Sequence, residues 1–267
     1  MLMSKKTKKS KEKKPLILVV NDDGVEAKGI RALGEVAQEF GRVVMIAPNN
    51  GRSGMSHAIT FASPLRLRRL HYSDNFEIYK TNGTPVDAVK LALRHLLKDQ
   101  QVDLLVSGIN QGANTSVSVF YSATVAAAVE GCLCGIPSIA FSLSDYTKNA
   151  DFESAKMAVR KIIPTVMEKG LPPQICLNVN IPNIAVQDVK GIKITRQAKN
   201  YWHEDLDARK DPANNPYFWM SGSLKEIDKK RDTDMWAIKH NYISIHPLKV
   251  DWTDNEMIQE LKNWKIK

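Results

Sequence analysis

Leu16–Val20, Leu-Ile-Leu-Val-Val, is an unbroken run of apolar residues. A strand with one wet face alternates polar and apolar side chains. A continuous run instead suits a strand covered on both faces, as in a parallel sheet between two layers of helices. The pattern recurs in Arg42–Ala47, Asp103–Ser107, Pro137–Phe141 and Ile175–Asn180, and longer segments with helical spacing lie between these runs. Ala27–Phe40 sets Ile30, Leu33, Val36, Ala37 and Phe40 on one helical face. Val86–Leu97, opening after Pro85, Ala123–Leu133 and Asp151–Glu168 read as further helices. Leu65–Leu70 and Phe76–Tyr79 read as an additional strand pair. Strands alternating with helices of this length predict an α/β fold, a mostly parallel sheet with helices on both faces.

Beyond about Pro182 the alternation breaks down. Gly191–Thr195, Tyr217–Met220 and Tyr242–His246 read as short strands and Trp252–Trp264 as a terminal helix, with polar, loop-rich sequence between them. This half is expected to be a smaller appendage whose exposed arms pair with another subunit. The whole chain, 43% hydrophobic and 25% charged, has the composition of a soluble globular protein. No stretch approaches the roughly 18 apolar residues of a membrane span, so no membrane partner is expected.

The net charge of +9 would suit a nucleic-acid partner if it were spread over a folded face, but its distribution argues otherwise. Residues 1–14 hold seven lysines against one glutamate, and so carry most of the surplus. A single-sign block without apolar periodicity buries nothing, so residues 1–14 are expected to be a disordered arm, at most a weak anchor for a polyanion. The arm lacks the apolar core of a secretory signal. Cys132, Cys134 and Cys176 are odd in number and widely spread, which fits a reducing, cytoplasmic setting rather than a disulfide framework.

In open parallel sheets ligands gather at the carboxyl ends of the strands, and three polar loops fall there. The first is Asn21-Asp22-Asp23-Gly24. Adjacent carboxylates repel, and both stay ionised readily only beside a cation. Hard Mg²⁺ or Mn²⁺ suits such oxygen ligands; the competing reading is that one Asp caps the following helix. The second loop, Asn49–His57, offers the Arg52 guanidinium, which suits phosphate, and His57, which follows the loop within reach of a leaving group. The third runs from Ser107-Gly108-Ile109-Asn110-Gln111-Gly112-Ala113-Asn114 to Tyr121-Ser122-Ala123-Thr124. Its glycines admit a ligand close to the backbone, and its asparagines offer neutral oxygens or amide donors. Ser122 and Thr124 stand where a helix begins, a natural anion site. A cation held by acids beside an anion held by amides and hydroxyls suits phosphate-ester hydrolysis.

At these residues the chain resembles the SurE family, the stationary-phase survival nucleotidases. The matching blocks, in order, are Ile17–Gly24 with Gly29-Ile30, Ala47-Pro48 with Arg52-Ser53-Gly54, Gly83-Thr84-Pro85, Ser107–Asn114, Tyr121–Gly131, Gly135-Ile136-Pro137, Leu177–Asn180 and Tyr242–Leu248. The resemblance implies a Rossmann-like catalytic domain over 15–182 and a carboxyl-terminal oligomerisation part over 183–267. That part would exchange elements between subunits of a homodimer or homotetramer and could return to pack on the main domain. It further implies a 5′-nucleotidase, a phosphomonoesterase for nucleoside 5′- and 3′-monophosphates and sometimes short polyphosphate, with one divalent cation per subunit. By position, the metal ligands would be Asp22, Asp23, Ser53 and Asn110, with Asp22 or Asp23 also orienting the attacking water or taking its proton. Asn114, Ser122 and Thr124 would line the phosphate pocket, and Asn21 would support the acidic turn.

Four positions depart from the family pattern. Asn49-Asn50 stand where the family usually has Asp-Arg, Ala123 where it has Gly, and Ser118 where it has Asp. A covalent aspartyl-phosphate on Asp22 or Asp23 remains open as an alternative to attack by water. A phosphoacceptor receiver domain is excluded by length and by the missing carboxylate after Ser107. The rival from another class is a basic-tailed nucleotide- or RNA-binding protein without hydrolytic activity. Its densest basic and aromatic stretch, Lys199–Lys210, also carries Glu204, Asp205 and Asp207.

Overall fold

The computed structural model describes residues 14–147, 149–264 and 266. The expected basic arm, apart from Lys14, lies outside the described residues. In chain order the strands of the main sheet are β1 (Leu16–Val20), β2 (Arg42–Pro48), β3 (Leu67–Tyr72), β4 (Phe76–Thr81), β5 (Leu104–Gln111), β6 (Ser138–Ser144), β7 (Ile175–Pro182) and β8 (Gly191–Ile194). A hairpin of β9 (Tyr201–Lys210) and β10 (Pro216–Lys225) follows, and β11 (Tyr242–Lys249) returns to the main sheet. The helices are α1 (Lys28–Ala37), α2 (Pro85–Leu91), α3 (Ala123–Leu133), α4 (Glu153–Lys169), α5 (Asp234–Lys239) and α6 (Asn255–Lys262).

The nine-stranded sheet has the order β3-β4-β2-β1-β5-β6-β7-β11-β8. From β4 through β2, β1, β5 and β6 to β7 the pairings are parallel, while β3 runs against β4 and β11 against β7. The continuous run in β1 has the predicted cause. Ile17 and Val19 pack into a core with α1 and α4, whereas Leu16, Leu18 and Val20 pack into a second core with α2 and α3. Both faces are dry, so every position is apolar. The Rossmann-like architecture implied by the resemblance is the one observed.

β1 pairs with β2 on one side and β5 on the other, so the chain changes direction across the sheet at this point. The crevice beyond the carboxyl ends of β1 and β5 is therefore the topological switch point, the usual ligand position in such sheets.

Two elements differ from the sequence expectation. The helix expected over Val86–Leu97 ends as α2 at Leu91 and continues through a single π-helical turn, Ala92–Leu96. The polar stretch read as loop before Tyr217 is strand β9, paired with β10 along their full length from Tyr201↔Lys225 to Lys210↔Pro216. The sheet also crosses residue 182, because β11 inserts between β7 and β8.

Candidate active site

The acidic turn is built by Asn21. Its side-chain amide donates to the Gly24 carbonyl (3.0 Å) and accepts from the Gly24 N–H (3.3 Å), while Gly24 takes the left-handed φ of +101° that a side chain would resist. Both amide atoms thus brace the turn, and the second hydrogen of Nδ2 is not used by it. Val25 N–H donates to the Pro48 carbonyl (3.0 Å), docking the turn on the end of β2. α1 starts after Ala27 with no side-chain cap, so neither aspartate serves as a helix cap and that alternative falls.

Each aspartate is tied to a different neighbour. Asp22 is 3% exposed; its Oδ1 accepts a hydrogen bond from the Thr124 hydroxyl, and its carbonyl accepts from Arg52 N–H at 2.7 Å. Asp23 Oδ2 accepts from Gln111 N–H at 3.2 Å. One turn therefore touches the second loop beside Ser53, the third loop beside Asn110 and the first turn of α3. Burial raises the Asp22 carboxyl above its ordinary pKa, against the pull of the Thr124 hydrogen bond. Burial, followed by the neighbouring charge of Asp22, raises Asp23 to about 6. The donors to these crowded carboxylates are a hydroxyl and a backbone N–H, neither of which offsets their charge.

Asn110 stands at the end of β5, where the pairing with β6 shifts register between Ser107 and Asn110. Its Nδ2 donates to the Gly112 carbonyl at 2.7 Å. A carbonyl only accepts, so this bond fixes the amide orientation and leaves Oδ1 as the free polar atom. Ser53 is exposed and follows Arg52, whose guanidinium donates to the Asn82 carbonyl at 3.1 Å.

Ser122 is the N-cap of α3, its Oγ accepting from Val125 N–H at 3.1 Å. Thr124, expected to line the phosphate pocket, is fully buried and gives its hydroxyl proton to Asp22. It links the helix start to the acidic turn. Asn114 is 7% exposed, with its backbone bonded to Asn178 and Asn180 and its Nδ2 to Ser142. An amide nitrogen carries two hydrogens, so one remains for an anion.

His57, read from the sequence as a group near the leaving group, is engaged by a carboxylate of α3. Its Nε2 lies 3.0 Å from Glu130 Oε2, and Lys90 Nζ meets Glu130 Oε1 at 2.5 Å. The bond from His57, ahead of the Lys90 interaction, holds the Glu130 carboxyl below its usual range. With Ser56, whose N–H and hydroxyl donate to the Tyr121 and Phe120 carbonyls (3.1 and 2.7 Å), this cluster clamps the second loop onto α3. Nothing in the sequence announces it, because residues 57, 90 and 130 meet only in the fold. Of the departures from the family pattern, Ala123 is fully buried at the start of α3, Ser118 is half-buried, and Asn49 and Asn50 are exposed.

This fold and site define a class: α/β proteins in which an acidic turn faces a helix N-terminus across the switch point of a parallel sheet. The family described as Survival protein SurE matches residues 17–204, and the chain belongs to it. It is 50% identical over 255 residues to the 5′-nucleotidase SurE of Flavobacterium psychrophilum, covering 95% of this chain and 98% of that protein. It is 47% identical to the 5′-nucleotidase SurE of Cytophaga hutchinsonii, with 95% and 98% covered. Among solved structures, the SurE protein from Aquifex aeolicus superposes with a TM-score of 0.81 at 39% identity, covering 93% of this chain and 98% of that one.

Proposed function

We propose that this chain is a divalent-metal-dependent phosphomonoesterase that hydrolyses nucleoside 5′-monophosphates, with 3′-monophosphates and short polyphosphate also within its range. The names of its relatives support the 5′-nucleotidase activity. The observation that carries the reading is the hydrogen bond from Thr124 to Asp22. It sets an acidic pair and a helix N-terminus side by side, as hydrolysis of a phosphate ester requires.

The residues present fit one Mg²⁺ or Mn²⁺ ion. Asp22, Asp23, Ser53 and Asn110 present carboxylate, hydroxyl and amide oxygens, the donors a hard cation takes, and a cation there would offset the crowding of the two carboxylates. A cation held by these residues would supply Lewis-acid chemistry, offsetting charge on the phosphoryl group and favouring deprotonation of the attacking water. Asp23, ionised at neutral pH, orients the attacking water and accepts its proton. Asp22 is held by Thr124, which keeps the pair in register with α3. The backbone N–H groups at the start of α3, the Ser122 hydroxyl and the remaining Asn114 N–H receive the equatorial oxygens, each such donor contributing about 3 kcal/mol to the transition state. Attack by water in line with the leaving nucleoside oxygen needs no covalent intermediate.

Self-association into a homodimer or homotetramer fits the exposed Leu206, Phe218, Trp219 and Met220 of the β9–β10 hairpin, since patches of this kind mark interfaces. A cytoplasmic location fits three free thiols, and no helix among the described residues is long and apolar enough to cross a membrane. The non-hydrolytic RNA-binding reading gains nothing from the hairpin, where Glu204, Asp205 and Asp207 follow Tyr201 and Trp202 and Asp207 stands opposite Trp219. The test is phosphate release from a panel of nucleotides after EDTA treatment and again with Mg²⁺ or Mn²⁺ restored. Release from 5′-monophosphates that EDTA abolishes and metal restores is expected; no metal-dependent release from any nucleotide refutes the reading.

A further inference from the structure

Asn178-Val179-Asn180 interrupts an otherwise apolar strand. Val179 and Ile181 enter the core shared with α1 and α4, so Asn178 and Asn180 lie on the opposite face. Both are fully buried. Burying two primary amides costs several kcal/mol unless their hydrogen bonds are recovered, and apolar residues would serve the sheet at less cost. Sheet stability therefore does not account for them.

Their hydrogen bonds converge on one residue. Asn180 Oδ1 accepts from Asn114 N–H at 2.7 Å, and Asn180 Nδ2 donates to the Asn114 carbonyl at 3.2 Å. Asn178 Nδ2 donates to the same carbonyl at 2.8 Å. Ser142, the register partner of Asn180 on β6 and also fully buried, accepts from Asn114 Nδ2 at 2.9 Å. Side chains from β7 thus hold the Asn114 backbone as a neighbouring strand would hold it, and Ser142 of β6 holds its side chain. The next part of the loop is pinned independently, with Ser116 at a φ of +54° and its N–H donating to Asp234 Oδ2 at 2.8 Å.

We infer that Asn178, Asn180 and Ser142 form a positioning set that fixes the Asn114 side chain for the phosphate group. This rests on the proposed reading of Asn114 as part of the phosphate pocket. The set fixes the peptide through Asn178 and Asn180 and the rotamer through Ser142, and it leaves one amide hydrogen of Asn114 unspent. Its contribution is orientation, which a site loses when a donor is free to swing.

The test uses the intact, metal-loaded protein with Asn114→Ala, Asn180→Leu, Ser142→Ala and the two double variants that include Asn114→Ala. Inorganic phosphate is the probe, read as its dissociation constant, beside kcat, KM and the cation affinity measured without phosphate. Asn180→Leu is expected to weaken phosphate binding by about tenfold or more and to lower kcat, and Ser142→Ala to weaken binding by about three- to tenfold. Cation affinity stays within about threefold of the parent, and neither change adds to Asn114→Ala, because both act through it. If Asn114→Ala weakens phosphate binding while Asn180→Leu and Ser142→Ala do not, the positioning set is refuted and the pocket reading stands. If Asn114→Ala leaves phosphate binding intact, the pocket reading fails and takes the set with it. Should Asn180→Leu not fold, Ser142→Ala, which removes a single hydroxyl, decides the matter.

Discussion

Gly29, in the first turn of α1, is the position where fold and site press most closely on each other. A Cβ there would sit 1.9 Å from the Ile109 carbonyl oxygen, 3.0 Å from its carbon and 3.3 Å from Phe152 Cε1. An ordinary carbon–oxygen contact is about 3.4 Å, so Gly29→Ala requires the helix and β5 to separate by roughly 1.5 Å. The obstacle is backbone in the middle of a buried strand and cannot swing aside. Helix propensity favours Ala over Gly by up to about 1 kcal/mol, while overpacking of this kind costs about 1–3 kcal/mol or more, so the steric cost wins. The expected outcome is a net loss of about 1–2 kcal/mol and a melting temperature lower by roughly 2–8 °C. Ile109 precedes Asn110, so the displaced strand also carries Asn110 Oδ1 away from the acidic turn, and cation affinity falls with stability. Gly34→Ala is the control on the same helix. Its Cβ would meet Phe76 at 3.5 Å and Met45 Sδ at 3.6 Å, ordinary contact distances, so it should be neutral or stabilising. Thermal melts of both variants with and without metal, together with calorimetric cation binding, check the pair. If Gly29→Ala matches Gly34→Ala in both measurements, α1 does not support the Asn110 loop and the reasoning is wrong.

The acidic pair should show opposite effects on stability and activity. Because the folded Asp23 carboxyl is raised from 3.8 to about 6, the metal-free protein holds an extra proton between those values and loses stability as pH climbs through that window. Asp23→Asn should therefore stabilise the EDTA-treated protein at pH 7.5 by about 1–2 kcal/mol, a figure reduced for the carboxyl's partial exposure, with little difference near pH 4. The same variant should lose turnover; melts at the two pH values beside a phosphate-release assay test both halves. Thr124→Val keeps the buried shape and removes the hydroxyl that reaches Asp22, so kcat should fall by about 10–100-fold and stability by about 1–3 kcal/mol, because a buried carboxyl loses its donor; unaltered kcat would sever the link between α3 and the acidic turn. Hydrolysis of a substrate chiral at phosphorus should proceed with inversion, as a single displacement by water requires, and retention would instead identify a phosphoenzyme on Asp22 or Asp23.

The main sheet was legible because β1, β2, β5, β6 and β7 are buried on both faces, and a dry strand of five or more residues leaves an apolar run that no surface loop imitates. β9 was illegible for the converse reason. All ten of its residues are exposed, so no burial pattern marks Tyr201–Lys210. α5 is six residues long, too short to display a period. In the site, Asp22 and Asp23 were visible as neighbouring like charges after a buried strand. The direction of the Thr124 hydroxyl was not, since sequence places it at a helix start without saying that an aspartate from residue 22 will meet it there. Asn178 and Asn180 were conspicuous as polar residues in an apolar run, but their partner lies more than sixty residues away.

The insertion of β11 between β7 and β8 has a consequence for biosynthesis. A nascent chain that has emerged only as far as residue 240 carries the acidic turn, the helix starts and the asparagines, yet β7 still offers a bare edge of N–H and C=O groups to any passing strand. β11 is the strand that seals that edge, so a chain cut short before it would be a sticky fragment and not a smaller enzyme.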